Sequence, residues 1–198
     1  RFVLNNAVAF VWGPPGTGKT ETLARITAGL WSEGEQVLVL SHSNVAIDEA
    51  VARIAGRTNF KEGKLVRYGF AQPKFMTEYR NLTSFYLATR LRPELLPGYE
   101  KLLAEREQLR RNGRLDQLAR VEQELNQYRR EFRAGESLVI EAAEVVGTTL
   151  SKATVDQAVF QHHWDTVIVD EASMAYIPHV AYAASLAAKR IVVVGDFR

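Results

Sequence analysis

Two short segments, widely separated in the chain, carry residues whose types and spacing could act on phosphate. The first is Gly13-Pro14-Pro15-Gly16-Thr17-Gly18-Lys19-Thr20, which meets the pattern G-x-x-x-x-G-K-[ST] at every fixed position. Glycines let backbone N–H groups wrap an anion, because no Cβ stands in the way. A helix starting near Lys19 would aim the positive end of its dipole at the same charge. Lys19 would then reach the β- and γ-phosphates of a nucleoside triphosphate, and the Thr20 hydroxyl would coordinate Mg²⁺. The second segment is Thr166-Val167-Ile168-Val169-Asp170-Glu171, an apolar run ending in adjacent carboxylates. Asp170 would hold Mg²⁺ directly or through water, and Glu171 would accept a proton from an attacking water. An Asp-Glu pair after a strand is, alone, more often a solvated strand end. Downstream of the Gly-rich loop in one α/β pattern, it reads as Walker B to that loop's Walker A.

These residues must be positioned by a sheet. Apolar runs at Ala7 to Trp12, Gln36 to Leu40, Glu144 to Thr148, Asp165 to Asp170 and Arg190 to Gly195 read as buried parallel strands, with Lys64 to Tyr68 a weaker sixth. Helical stretches alternate with them at Lys19 to Trp31, Val45 to Ala55 and Pro178 to Ala188. That alternation predicts an α/β fold, a RecA-like P-loop domain with a parallel sheet flanked by helices. Trp12 and Trp164, flanking strand ends, are expected in the core.

Between about Arg92 and Arg133 the rhythm changes. Leu118, Val121, Leu125, Tyr128 and Phe132 recur at three- and four-residue spacing, and Leu95, Tyr99, Leu102, Arg106 and Leu109 form a matching stripe. Asn112-Gly113 between them predicts the tip of an inserted antiparallel helical hairpin over 92–133, dividing the α/β domain into 1–91 and 134–198. Its role stays open between a structural insertion or handle and a contact surface for nucleic acid or a partner. Arg110, Arg111, Arg114, Arg129 and Arg130 favour the second, but interleaved acidic residues give most of them the look of a solvated face.

The 198 residues carry a formal charge of +2 and no cysteine. One globular domain is the expectation, disulfides and thiolate metal sites are excluded, and His42, His162, His163 and His179 have no metal-site spacing. No apolar run reaches the length of a membrane span, so no membrane partner is expected, and the default location is the cytoplasm, or the nucleus in a eukaryote. The pI near 8.9 permits an anionic partner without demanding one. Both ends look cut, as if from a longer protein.

The two segments also sit in a recognisable series. Gly13 to Thr20 and Asp170-Glu171-Ala172-Ser173 resemble motifs I and II of superfamily 1 helicases. Val39-Leu40-Ser41-His42-Ser43-Asn44-Val45-Ala46-Ile47-Asp48 resembles motif Ia of the 5′-to-3′ branch, which includes the RNA-decay helicases and their bacterial relatives. Val145 to Leu150 resembles motif Ic, and Val193-Val194-Gly195-Asp196-Phe197-Arg198 resembles motif III. The resemblance covers almost the whole chain except the hairpin, which falls where this branch often carries an insertion.

That resemblance implies an ATP-dependent motor domain, the first of two RecA-like domains, working on single-stranded DNA or RNA with ATP and Mg²⁺. Ser43, Asn44, Thr148 and Thr149 would contact phosphates or sugars of the strand, and Asp196 would sense the γ-phosphate. Ser43-Asn44 also reads as an ordinary helix N-cap, and Thr148 and Thr149 as strand-end hydroxyls. The family's adenine-reading Gln before motif I has no counterpart, and its γ-phosphate arginines belong to the second domain. The isolated chain is therefore expected to bind ATP·Mg²⁺ weakly and hydrolyse it poorly. A different class stays open: a nucleotide-switched binding module that controls a protein partner without unwinding.

Overall fold

The computed structural model describes residues 3–196; Arg1, Phe2 and the last two residues of the motif III segment, Phe197 and Arg198, lie outside them. The described strands are β1 (Val8–Trp12), β2 (Val37–Ser41), β3 (Leu65–Arg67), β4 (Val145–Thr149), β5 (Trp164–Asp170) and β6 (Ala187–Gly195). They form one sheet in the order β1-β6-β5-β2-β4-β3, parallel throughout. The helices are α1 (Lys19–Ser32), α2 (Asn44–Ala55), α3 (Pro73–Glu78), α4 (Ser84–Leu91), α5 (Leu96–Arg111), α6 (Leu115–Ala142), α7 (Leu150–Val155), α8 (Gln157–Phe160) and α9 (Ile177–Ser185).

Side chains alternate across each strand and feed two separate cores. Val37, Val39, Val145, Ile168 and Val192 face α1 and α2, meeting Leu23, Leu30, Ile47, Val51 and Ile54. Leu38, Leu40, Val146, Val167 and Val193 face the other way, toward α6 to α9, meeting Ile140, Leu150, Val159 and Ala183. Strands buried on both faces need continuous apolar runs, which is why β2 and β5 read as they do. The chain is thus an α/β protein of RecA-like architecture.

Two expectations need correction. Trp164 is fully buried, but Trp12 is 63% exposed, with Phe10 and Val8 beside it. Being on β1 does that: it is an edge strand, whose alternate residues Ala9 and Val11 turn to the core while Val8, Phe10 and Trp12 face out. The helix expected over Pro178 to Ala188 stops at Ser185, because Ala187 pairs with Trp164 and draws the following residues into β6.

Within the segment that breaks the rhythm, Leu102 and Leu109 of α5 pack on Val121 and Leu125 of α6. Tyr99 meets Phe132 edge-on at 5.2 Å, and Arg106 approaches Glu122. Early residues of α5 thus meet late ones of α6, so the two helices run antiparallel. Beyond Arg133, α6 continues to Ala142 and places Val139 and Ile140 in the sheet's own core. One helix therefore serves both the projecting pair and the sheet. Phe85 of α4 stacks near Phe132 and Tyr99, joining the base of the pair to the rest.

Candidate functional site

All the phosphate-chemistry residues come to the C-terminal end of the sheet. The loop after β1 starts from the ladder, with the Gly13 N–H donating to the Gly195 carbonyl at 3.3 Å. Gly16 and Gly18 have φ of 78° and 84°, a left-handed backbone that leads straight into α1. A side chain at Gly13 would strike the Thr17 hydroxyl, 2.6 Å from where its Cβ would lie. The loop is therefore drawn tight, with Thr17 Oγ1 donating to the Pro14 carbonyl at 2.7 Å. Lys19 Nζ spans it, donating to the carbonyls of Gly13 at 2.7 Å and Pro14 at 3.0 Å. Glu21 in the first turn complements the N-terminal dipole of α1.

Asp170 ends β5 and is nearly buried, 4% exposed. Burial raises its pKa from the ordinary aspartate value to about 6. The charges of Glu171 and Glu49 push the same way; the Glu171 N–H, donated to Asp170 Oδ1 at 3.0 Å, and Lys19 push back. Glu171 is the one described non-glycine residue with positive φ, at 50°. That turn lifts its side chain out of the strand line into solvent. Ser41, buried at the end of β2 and in register with Asp170, donates a long 3.5 Å hydrogen bond to Glu171 Oε2. β6 runs between β1 and β5 and brings Asp196 into the gap, where Ser173 Oγ donates to Asp196 Oδ1 at 2.9 Å.

A cleft of about 530 Å³ is lined by Pro15, Gly16, Gly18, Lys19, Thr20, Asp170, Glu171 and Asp196, and on its far wall by Ser43, Glu49 and Arg53 of the α2 segment. Its donors suit a triphosphate and a hard cation: backbone N–H groups and an ammonium for phosphate, a hydroxyl and a buried carboxylate for Mg²⁺. Among the described residues no cluster of three or more His, Cys, Asp or Glu could hold a metal, so a cation here would share its coordination with phosphate and water.

The four residues expected to touch a strand fare differently. Ser43 and Thr149 are N-caps of α2 and α7, their hydroxyls accepting the Ala46 and Lys152 N–H groups at 3.1 and 3.2 Å. Both remain half-buried at the sheet's end, and Ser43 faces the cleft. Asn44 is half-buried, with Oδ1 taking a 2.9 Å hydrogen bond from Arg67 Nη2. Thr148 lies deeper than the other three. It is fully buried, and its hydroxyl donates to the Tyr68 carbonyl at 3.1 Å. Sitting on a central strand between β2 and β3, it turns inward where Thr149 turns out.

Sequence reasoning missed Ser41, Ser173 and Arg67. Arg67 is a fully buried guanidinium at the end of β3, paired with Asp48 of α2 at 2.7 Å. Burial lowers its pKa, and the hydrogen bond and charge of Asp48 oppose that. An arginine closing a short, weakly apolar run looks like a surface residue in one dimension. The available signal was Asp48, a carboxylate four residues past Asn44 amid the helix's apolar positions, which needs a buried cation.

Fold and cleft together define a P-loop nucleotide-binding domain of the RecA-like kind. The chain matches the AAA domain family over residues 1–95 and 96–198. It is 30% identical to Regulator of nonsense transcripts 1 homolog of Arabidopsis thaliana, over 99% of this chain and 15% of that protein. It is 28% identical to ATP-dependent helicase upf1 of Schizosaccharomyces pombe, over 99% of this chain and 20% of that protein. DNA polymerase alpha-associated DNA helicase A of Saccharomyces cerevisiae is 26% identical, over 99% of this chain and 30% of that protein. The chain belongs to the AAA domain family, in the superfamily 1 helicase branch, as a first RecA-like domain. It spans between 15% and 30% of the length of these relatives. Among the described residues no helix is long and apolar enough to cross a membrane.

Proposed function

We propose that this chain is the ATP-hydrolysing first motor domain of a helicase or translocase that moves 5′-to-3′ on single-stranded nucleic acid. The observation that carries the reading is the single cleft lined by Lys19, Thr20, Asp170, Glu171 and Asp196. In it the backbone of Gly13, Pro14, Pro15, Gly16, Thr17 and Gly18 cradles the phosphates, and Lys19 neutralises the β- and γ-oxygens. Thr20 and Asp170 hold Mg²⁺, which when bound neutralises charge developing on the transferred phosphoryl group. Glu171 orients the attacking water and takes its proton, with Ser41 steadying the carboxylate. Asp196, at the end of β6, reports the γ-phosphate to the surface that faces a second RecA-like domain of the same parent chain.

Ser43, Asn44 and Thr149 stand at the same end of the sheet and hold the strand's backbone, which positions it without reading sequence. The relatives' printed names favour a helicase over a partner-controlling switch. The deciding experiment measures ATPase of the longer parent protein titrated with single-stranded DNA and RNA side by side. A motor is stimulated several-fold or more by at least one of them. A flat response to both would support the nucleotide-switched module instead.

A further inference from the structure

We infer that Phe70 is a stacking platform for one base of the bound single strand. The inference rests on the single-strand reading above and adds a contact to the base, where Ser43, Asn44 and Thr149 reach only the backbone. Phe70 is 67% exposed on the loop that leaves β3. Scattered apolar residues on a surface need no explanation. What distinguishes this one is how firmly its loop is fixed.

The Arg67 guanidinium, itself fully buried, donates to the carbonyls of both Tyr68 and Phe70. Its partner Asp48 accepts the Gln72 N–H at 2.8 Å, so one buried ion pair fixes three backbone groups of the loop. Thr148 Oγ1 adds a further bond to Tyr68. Gly69 makes the reversal at φ 92°, with Arg67 and Lys152 side-chain atoms 3.9 Å from where a Cβ would lie. The chain therefore folds back onto the guanidinium while the Phe70 ring stays outside.

The Phe70 backbone stands beside one of the strand-end residues. The same Arg67 nitrogen, Nη2, serves both the Phe70 carbonyl and the Asn44 side chain, so the two residues are immediate neighbours. Lys152, whose N–H is capped by Thr149, lies over the Tyr68 ring with Nζ 4.4 Å from its centre. An exposed aromatic side chain on a firmly held loop, next to an amide that reaches the backbone, is an arrangement that holds a splayed base above a positioned strand. Stacking of this kind tolerates any base, because each has a π-face.

The test uses the full-length parent protein, with fluorescence anisotropy on short oligo-dT and oligo-U and on the abasic counterpart of each. Phe70→Ala should weaken binding of the base-bearing strands about ten- to a hundred-fold. The abasic strands should bind mutant and native protein alike, and Phe70→Trp should restore the loss. Equal weakening of base-bearing and abasic strands, or no weakening of either, overturns the inference; the second outcome together with lost ATPase would mark Phe70 as a contact for protein instead. If the native protein binds none of the strands, the single-strand reading itself fails, and that result is separate from any effect of Phe70.

Discussion

At Glu171 the chain adopts φ 50° and ψ 40°, a conformation that costs a residue with a Cβ on the order of 1 kcal/mol. The turn places a carboxylate beside, rather than behind, the buried Asp170, and gives the two acids different environments. Glu171 is exposed to solvent, whereas Asp170 is desolvated by burial. Replacing Glu171 with Gln keeps shape and backbone and removes only the base. Strand-stimulated kcat of the parent protein should fall about 10²- to 10⁴-fold with nucleotide affinity held; a loss under tenfold would remove Glu171 from that role. Asp170 makes a prediction in pH. Its pKa stands at about 6 in the fold against 3.8 unfolded, so between those values the unfolded chain has released a proton that the folded chain keeps. Stability without nucleotide or Mg²⁺ should therefore fall as pH rises from about 4 to 6, by roughly 3 kcal/mol at 1.36 kcal/mol per tenfold change in proton affinity, and stay level above. Asp170→Asn should flatten that part of the profile and raise the melting temperature at pH 7, as read by calorimetry in EDTA.

Among the elements, α2 is the piece on which most of the site depends. Its N-terminus borders the phosphate cleft, its apolar side lies under β2 and β4, and its Asp48 holds Arg67. The Arg67–Asp48 pair is thus the clamp between α2 and the loop after β3. Removing one partner leaves an uncompensated buried charge and unpaired carbonyls. Arg67→Ala should cost about 3–5 kcal/mol in urea unfolding, and so should Asp48→Ala. The double variant should cost clearly less than the sum, because both single changes break one network. Additive losses would mean that the two side chains act independently. This clamp was not legible in one dimension, since Arg67 finds Asn44, Asp48, Tyr68 and Phe70 only after β3 has paired at the sheet's edge. The a/d spacing of the α5–α6 region, by contrast, depends only on local periodicity.

For the molecule as a whole, the sheet brings the loop after β1 and the ends of β5 and β6 to one shared cleft. The phosphate-binding groups proposed above line it, while the second domain proposed above would bring the arginines that stabilise the transferring phosphoryl group. Excess ATP·Mg²⁺, at about a hundred times its Kd, should raise the melting temperature by about 5 to 10 °C. Turnover by this chain should remain about 10³ to 10⁵ below that of the strand-stimulated parent protein; equal rates would show that no second domain is needed. By itself the sequence determined the α/β class, the phosphate loop and the acidic strand end. Those depend on short-range facts: glycines that permit a left-handed turn, β-branched runs, and carboxylates one residue apart. Only the tertiary structure decided that β6 runs between β1 and β5 and carries Asp196 into the cleft. It also turned Trp12 out to solvent and Thr148 into the core, and it made the Gly13 to Thr20 loop and Glu171 two walls of one cavity. Strand order and the direction a strand-end side chain faces are set by which neighbours pair, and the β1–β6, β2–β4 and β2–β5 pairings join residues more than a hundred positions apart.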